Sequence, residues 1–201
     1  AITTRELGRM IETAGIDFKN LDDEKFDAPF GIGSGAGAIF GATGGVMEAA
    51  LRTAAEVIEK KPLEKLEFDE VRGIAGVKFA TYKLGDVELN VAVASGTKNA
   101  KELLEKIEKG EVNVQFVEIM ACPGGCVNGG GQPTQPASVR NSVNLREKRA
   151  AVLYNADSNI LEYRKSHDNP IVKTLYDEFF GEPNSEKAHE ILHTHYVKRG
   201  L

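Results

Sequence analysis

The apolar and polar residues at the start of the chain alternate with the period of a helix. Thr3 and Glu6 have the spacing of a capping box, which predicts a helix that begins there and ends before Gly15. Its apolar side chains share one face: Leu7, Met10, Ile11 and Ala14.

A segment rich in glycine and alanine follows at residues 30–45 and runs directly into an apolar segment at residues 46–60. The apolar spacing of residues 46–60 is typical of a buried helix, and Pro62 closes it. The pattern therefore predicts a loop that leads into the beginning of a helix.

The central part of the chain carries the strand signals. Residues 77–82 and 87–94 are separated by a short polar turn and predict an antiparallel hairpin. Residues 98–109 have the pattern of an amphipathic helix, and residues 112–119 have that of a further strand. This order predicts an α/β fold with a mixed, twisted sheet flanked by helices.

The pattern changes after Pro136, where the strand signals stop. Residues 138–154, 170–180 and 185–196 each have the spacing of a helix. We therefore expect an α/β core at residues 1–136 and a helical C-terminal tail at residues 137–201.

Composition and charge narrow the class of protein. The chain has 201 residues and a formal net charge of -5, which is spread over its helices and argues against nucleic acid as a partner. No apolar run approaches the roughly 20 residues that a membrane span needs. The sequence also shows no export signal, so we expect a cytoplasmic protein. Two cysteines are too few for a secreted disulfide scaffold.

The candidate chemistry lies at residues 120–133, directly after the last predicted strand. Cys122 and Cys126 are four positions apart, and five glycines in this segment allow positive φ and close approach of the backbone. Such a loop suits thiolates that bind iron, although a local disulfide or two buried thiols would also explain the pair. A cubane cluster usually takes four cysteines, so a cluster here needs donors from elsewhere.

Residues 120–133 also resemble the third cluster-binding signature of iron-only (FeFe) hydrogenases. Other segments resemble the same family: residues 3–7, 34–52 and 71–73. Residues 164–167 and 188–193 resemble its small-subunit region. The resemblance implies that residues 1–136 form the C-terminal lobe of the family's catalytic domain and that residues 137–201 form a small-subunit-like tail.

The resemblance implies a hydrogenase, which oxidises hydrogen reversibly to protons and electrons at the H-cluster, a 4Fe-4S cubane linked to a two-iron subcluster. It implies that Cys122 ligates the cubane, and that Cys126 ligates the cubane and bridges to the two-iron subcluster. Met120 would lie beside the two-iron subcluster.

Three further residues belong to the site that this resemblance implies. Phe40 would form part of the pocket wall. The helix that begins near Thr43 and Gly44 would point open N–H groups at the negatively charged cofactor.

The other two cluster-binding signatures of the family are absent from this sequence. We therefore expect the missing donors to come from an N-terminal part of the same hydrogenase or from a partner subunit. The chain alone is expected to be inactive, and a redox carrier such as ferredoxin is the expected electron partner.

Three alternatives stay open. The chain could be a binding or scaffold module that keeps the fold without the cluster. His189 and His193 match the H-E-x-x-H pattern of zinc peptidases, but no third ligand follows at a suitable distance. Gly33 and Gly35 fit a dinucleotide fingerprint loosely, and no clear strand precedes them.

Overall fold

The computed structural model describes residues 1–25, 27 and 31–200, and within them one mixed sheet is found. Its strands are β1 (Val77–Leu84), β2 (Val87–Ser95) and β3 (Phe116–Met120), in the order β1-β2-β3. β1 is antiparallel to β2, and β3 is parallel to β2. The predicted α/β fold with a mixed sheet is confirmed.

Helices surround this sheet and form the C-terminal part of the described chain. Their bounds are α1 (Thr4–Thr13), α2 (Gly35–Ala38), α3 (Gly45–Glu59), α4 (Thr97–Glu108), α5 (Ala137–Ser142), α6 (Leu145–Asn155), α7 (Pro170–Leu175) and α8 (Glu186–Leu192). None of the helices in these described ranges is both long and apolar enough to cross a membrane.

The two faces of β2 are buried by different helices, because successive side chains of a strand point to opposite faces. Val91 and Val93 pack in one apolar cluster with Met47 and Leu51 of α3. On the other face, the alanines at positions 92 and 94 pack against α4. The sheet is therefore a central layer, and α3 lies on one side of it.

The predicted third strand is shorter than expected. Residues 112–115 lie outside the ladder, which begins where Val91 lies opposite Phe116, and of these four residues Gln115 donates its N–H to the Asn90 carbonyl at 2.9 Å. The Gln115 side chain accepts a hydrogen bond from the Asn90 N–H at 2.8 Å. The Gln115 side chain therefore takes the Asn90 N–H, which a longer β3 would have bound with its backbone.

Several other element bounds also differ from the prediction. The helix expected at residues 138–154 is divided into α5 and α6, because Asn144 has an extended backbone and its side chain caps α6 at the Glu147 N–H. The last helix ends at Leu192 instead of residue 196, since His193 is extended. Residues 35–38 of the predicted glycine-rich loop form the short helix α2, and Phe30, where that loop was expected to begin, lies outside the described residues.

The capping box at the start of α1 is confirmed. The Thr3 hydroxyl accepts a hydrogen bond from the Glu6 N–H, and the Glu6 carboxylate accepts one from the Thr3 N–H. No residue of α1 is buried, so its apolar face is exposed to solvent. The helix is amphipathic as predicted, but the described residues do not cover its apolar side.

A cluster of buried charges joins the tail to α3. Arg52 donates hydrogen bonds to Glu48 one turn earlier on α3 and to both carboxylate oxygens of Asp157, which follows α6. The side chains of all three residues are fully buried. Arg164 also donates to Asp157, at 2.7 Å. The tail is therefore attached through paired charges in the interior.

Candidate functional site

The two cysteines lie in one tight turn at the end of β3. The Gly125 N–H donates to the Cys122 carbonyl at 3.0 Å, and the Gly129 N–H donates to the Cys126 carbonyl at 2.9 Å. Gly124 and Gly125 have φ values of +87° and +96°. Only glycine adopts such angles readily, so this sequence forms the turn without backbone strain.

Both thiols are accessible to a ligand. Cys122 and Cys126 are exposed and are not joined in a disulfide. The local disulfide and the pair of buried thiols that the sequence left open are therefore both wrong for this structure. Free thiols that face solvent in a glycine-rich turn have the donor chemistry of an iron–sulfur site.

The glycine-rich loop before α3 packs directly against the cysteine turn. The Thr43 N–H donates to the Gly124 carbonyl at 3.1 Å. A Cβ atom on Gly125 would lie 2.7 Å from both the Gly41 carbonyl oxygen and the Thr43 nitrogen. This contact requires glycine at position 125, and it brings the loop that contains Thr43 against the cysteine turn.

The beginning of α3 is occupied by a carboxylate from β3. Glu118, which is buried, accepts hydrogen bonds from the Gly44 N–H at 2.6 Å and from the Met47 N–H at 2.7 Å. The expected open N–H groups are therefore wrong for these two positions. A negative charge at a helix N-terminus is stabilising, and here Glu118 supplies it four residues before Cys122.

A buried lysine lies on the other side of the same loop. The Lys78 ammonium donates to the Thr43 carbonyl at 3.2 Å and to the Gly73 carbonyl at 2.8 Å. Burial lowers the pKa of Lys78 to about 8, although the negative charge of Glu118 acts in the opposite direction. Lys78 and Glu118 thus hold the loop from two sides.

The predicted site residues Met120 and Phe40 lie at the edges of this region. Met120 is the last residue of β3, is partly buried, and accepts a hydrogen bond from the Gly96 N–H through its carbonyl. Phe40 belongs to a 3-10 turn at Ile39–Gly41, and 46% of it is exposed. The part that each plays at a cofactor stays a prediction.

The N-terminal helix also contacts the glycines that follow the cysteines. The Arg5 N–H donates to the Gly131 carbonyl at 3.2 Å, and the Arg5 guanidinium donates to the Gly130 carbonyl at 2.6 Å. The cysteine segment is therefore held by α1 as well as by the loop before α3.

The histidine motif of the tail has a different setting. His189 lies in the middle of α8 and His193 directly after its end. Both are exposed, and their Nδ1 atoms are 2.8 Å apart. Across residues 1–25, 27 and 31–200, no group of three or more His, Cys, Asp or Glu side chains could hold a metal ion. A zinc-peptidase site is thus not supported.

Glu118, Lys78 and Arg52 were not among the site residues predicted from the sequence. Glu118 carried a signal, because it is a charged residue between the apolar Val117 and Ile119 in a strand that leads to the cysteines. Its partners are 74 and 71 residues earlier in the chain, a separation that local patterns do not reveal.

Comparison with known families identifies two regions. The family described as "Iron only hydrogenase large subunit, C-terminal domain" matches residues 1–130. The family described as "Iron hydrogenase small subunit" matches residues 143–199.

Individual relatives agree with this result. The chain is 51% identical over 198 residues to the NADP-reducing hydrogenase subunit HndD of Solidesulfovibrio fructosivorans, covering 98% of this chain and 33% of the relative. It is 47% identical to iron hydrogenase 1 of Clostridium pasteurianum, covering 98% and 34%. The chain therefore spans about a third of the length of these curated relatives.

A solved structure has the same fold. The structure of HydA(deltaEFG), whose description concerns stepwise assembly of the FeFe-hydrogenase H-cluster, matches with a TM-score of 0.74 and 42% identity. The match covers 100% of this chain and 56% of that one.

More distant relatives have another role. The cytosolic Fe-S cluster assembly factor narfl of Xenopus tropicalis is 32% identical over 206 residues, covering 97% of this chain and 40% of the relative. Similarity over the whole chain therefore extends to proteins described as assembly factors.

Proposed function

The chain belongs to the iron-only hydrogenase family, and from that premise we propose that it supplies part of the H-cluster site of a hydrogenase that oxidises hydrogen reversibly. The observation that carries this proposal is the pair of free, exposed thiols in one glycine turn after β3. The identity to HndD and to iron hydrogenase 1, at 51% and 47%, supports the hydrogenase branch of the family.

The donor set fits half of a cubane cluster. Such a cluster usually takes four cysteine thiolates, and this chain has two cysteines. The remaining donors then come from polypeptide outside this chain, either the rest of the same hydrogenase or a partner subunit. The chain alone is expected to be inactive for the same reason.

Each predicted site residue has a role in this proposal. Cys122 and Cys126 would hold the cubane, Cys126 would also hold the two-iron subcluster, and Met120 and Phe40 would line the cofactor pocket. When bound, the cofactor supplies the cleavage of hydrogen and the transfer of electrons.

The other residues of this chain orient the two thiols. The loop at Thr43 and Gly44 supports the back of the cysteine turn through the bond to the Gly124 carbonyl. Glu118 fixes that loop through the Gly44 and Met47 N–H groups. A ferredoxin-like carrier and a cytoplasmic location remain predictions.

The test combines the chain with the remaining part of the HndD polypeptide and with hydrogenase maturation factors, and measures iron content and hydrogen-dependent reduction of a viologen dye. We expect activity with the natural chain and its loss with Cys126→Ser. The matched control is His193→Ala, which changes a metal-binding residue type at an exposed position of the tail and should retain activity. An active Cys126→Ser sample, or an iron-loaded natural sample without hydrogen-dependent reduction, would contradict the proposal.

A second candidate function is a cluster-binding assembly or scaffold protein. Whole-chain similarity to narfl, a protein described as a cytosolic Fe-S cluster assembly factor, favours it. The same experiment separates the two candidates, because an assembly protein would bind iron in the combined sample without reducing the dye when hydrogen is supplied.

A further inference from the structure

The segment that follows Cys126 has little regular structure of its own. Residues 126–128 form one 3-10 turn, and residues 129–136 belong to neither a helix nor a strand. Residues 129–131 are three consecutive glycines, and glycine has the largest freedom of backbone conformation. The conformation of this segment therefore depends on contacts from other elements.

Local turns bind only some of the carbonyl groups in this segment. The Gly129 N–H donates to the Cys126 carbonyl at 2.9 Å, and the Gln132 N–H donates to the Gly129 carbonyl at 3.0 Å. Four further carbonyls are bound by two arginines instead: those of Val127, Gly130, Gly131 and Pro133. Since backbone carbonyls need hydrogen-bond partners in a folded chain, these arginines complete the bonding of the segment.

Arg149 of α6 holds both ends of the glycine run. Its Nη1 atom donates to the Val127 carbonyl at 3.1 Å, and its Nη2 atom donates to the Pro133 carbonyl at 2.8 Å. Val127 directly follows Cys126 and is buried. A guanidinium carries its donors in a rigid planar fork, so the two bonds together fix the separation of the two carbonyls.

Arg5 of α1 holds the middle of the same run, through its guanidinium at Gly130 and its backbone N–H at Gly131. Arg5 is exposed, whereas Arg149 is half-buried. Water competes for the hydrogen bonds of an exposed side chain, so Arg149 is expected to contribute more. Within the described parts of the chain neither arginine forms an ion pair with a carboxylate, and both guanidinium groups are bound to peptide carbonyls.

A second contact from α6 lies on the other side of Cys126. The Arg146 side chain packs on Gly124, where an added Cβ atom would lie 2.9 Å from the Arg146 Cδ atom. Helix α6 therefore touches the cysteine segment both before and after Cys126. It belongs to residues 143–199, the region that is similar to the hydrogenase small subunit.

We propose that Arg149 is a positioning residue of the candidate site, which holds the segment after Cys126 in the conformation that binds the cluster, with Arg5 as a weaker second contact. This inference rests on the proposed function and adds the tail to the parts of the chain that form the site. Partners that orient a metal ligand typically change metal affinity by about 10- to 100-fold when they are removed.

The first test uses the chain assembled with the remaining HndD polypeptide and maturation factors, and measures iron retained against a competing chelator and the electron paramagnetic resonance signal of the cluster. Arg149→Ala should weaken iron retention by about 10- to 100-fold. Arg149→Lys, which can bind only one of the two carbonyls, should show an intermediate loss. Free guanidinium at a non-denaturing concentration should restore part of the signal in Arg149→Ala.

The matched control is Arg140→Ala. Arg140 is an exposed arginine of α5 whose side chain forms no hydrogen bond or ion pair within the described residues. This variant removes the same charge and should retain iron and the resonance signal as the natural chain does.

Hydrogen exchange of the chain alone tests the contact without iron. In Arg149→Ala the amide protons of Gly129 and Gln132 should exchange at least about tenfold faster than in Arg140→Ala, because the segment that carries their acceptors is released. The amide proton of Leu51, in the buried helix α3, should be unchanged. Faster exchange at Leu51 as well would reveal a general loss of stability, in which case Arg149→Lys decides between the outcomes.

Natural iron retention and resonance signal in Arg149→Ala, or in Arg149→Lys where the alanine variant is unstable, would overturn the inference while the proposed function stands. Exchange at Gly129 and Gln132 equal to that in Arg140→Ala would do the same. A natural chain that forms no cluster in the assembled sample would overturn the proposed function and this inference together.

Discussion

Two clusters of buried charge lie along α3, and they are balanced in different ways. In the middle of the helix, Arg52 is paired with the carboxylates of Glu48 and Asp157, so side-chain charges neutralise each other. At its beginning, Glu118 accepts from backbone N–H groups, and Lys78 donates to backbone carbonyls. Among the described residues no ion pair within 4.0 Å joins Lys78 to Glu118.

The difference shows how one helix serves two purposes. The paired cluster in the middle fixes the tail. Each of its charges is shielded from water and is stabilised only by its partner. The cluster at the beginning fixes backbone, because its charges bind the peptide groups that lie behind the cysteine turn. We therefore expect substitutions in the middle to affect global stability most, and substitutions at the beginning to affect the candidate site.

The largest effect is expected from Asp157→Ala. This substitution removes the buried carboxylate that Arg52 and Arg164 share and leaves Arg52 with Glu48 alone, so the free energy of unfolding should fall by about 3–5 kcal/mol. Urea unfolding followed by circular dichroism measures the change.

The control for that substitution is Asp69→Ala, which removes an exposed carboxylate that pairs with Lys65 at 2.8 Å and with Arg72 at 3.5 Å. Exposed pairs contribute about 0–1 kcal/mol, so this variant should be near the natural stability. Equal losses in Asp157→Ala and Asp69→Ala would show that the buried cluster does not hold the tail.

A smaller effect is expected from Glu118→Gln. The Glu118 carboxylate uses one oxygen for each N–H group, whereas an amide has a single acceptor oxygen and loses one of these two hydrogen bonds. The amide also lacks the negative charge that is stabilising at a helix N-terminus. The free energy of unfolding should fall by about 1.5–3 kcal/mol.

Hydrogen exchange distinguishes a local effect of Glu118→Gln from a global one. We expect the amide protons of Gly44 and Met47 to exchange faster than in the control Glu111→Gln, whose side chain is at an exposed position. Unchanged exchange at both amides in Glu118→Gln would contradict the anchoring role.

The last effect is a pH dependence at Lys78. Burial lowers the pKa of Lys78 from its ordinary 10.5 to about 8 in the folded chain. Between pH 8 and 10.5 the unfolded chain therefore binds more protons at this residue, and stability rises with pH. Below pH 8 both states are protonated and the dependence disappears.

Comparison with Lys78→Met isolates this contribution. The free energy of unfolding of the natural chain, minus that of Lys78→Met, should increase from pH 8 to pH 10.5. A difference that stays flat or decreases over this interval would show that Lys78 is not buried as a charged group.

The sequence was sufficient to predict the elements that depend on local patterns. The capping box at Thr3 and the hairpin between β1 and β2 follow from residues close together in the chain, and both are confirmed. The start of β3 was predicted too early, since the Gln115 side chain binds Asn90 across the sheet. This hydrogen bond joins residues 25 positions apart, and a local hydrophobic pattern contains no information about such a contact.

The candidate site shows the same division. Cys122 and Cys126 were identified from their spacing and glycines, and the structure shows them free and exposed. The position of the Glu118 carboxylate at the beginning of α3 was not predicted. The Gly44 and Met47 N–H groups reach it only because β3 pairs with β2 and packs beside α3. Patterns within a segment indicate ligands, whereas the groups that orient ligands come from distant segments.

The most direct test of the account is alkylation of the two cysteines, read by mass spectrometry. In the chain alone, Cys122 and Cys126 should both react, because both are exposed and free. In the iron-loaded sample assembled with the remaining HndD polypeptide, both should be protected, since each thiolate would bind iron. Full reaction of either cysteine in the iron-loaded sample would contradict the claim that this turn holds the cluster.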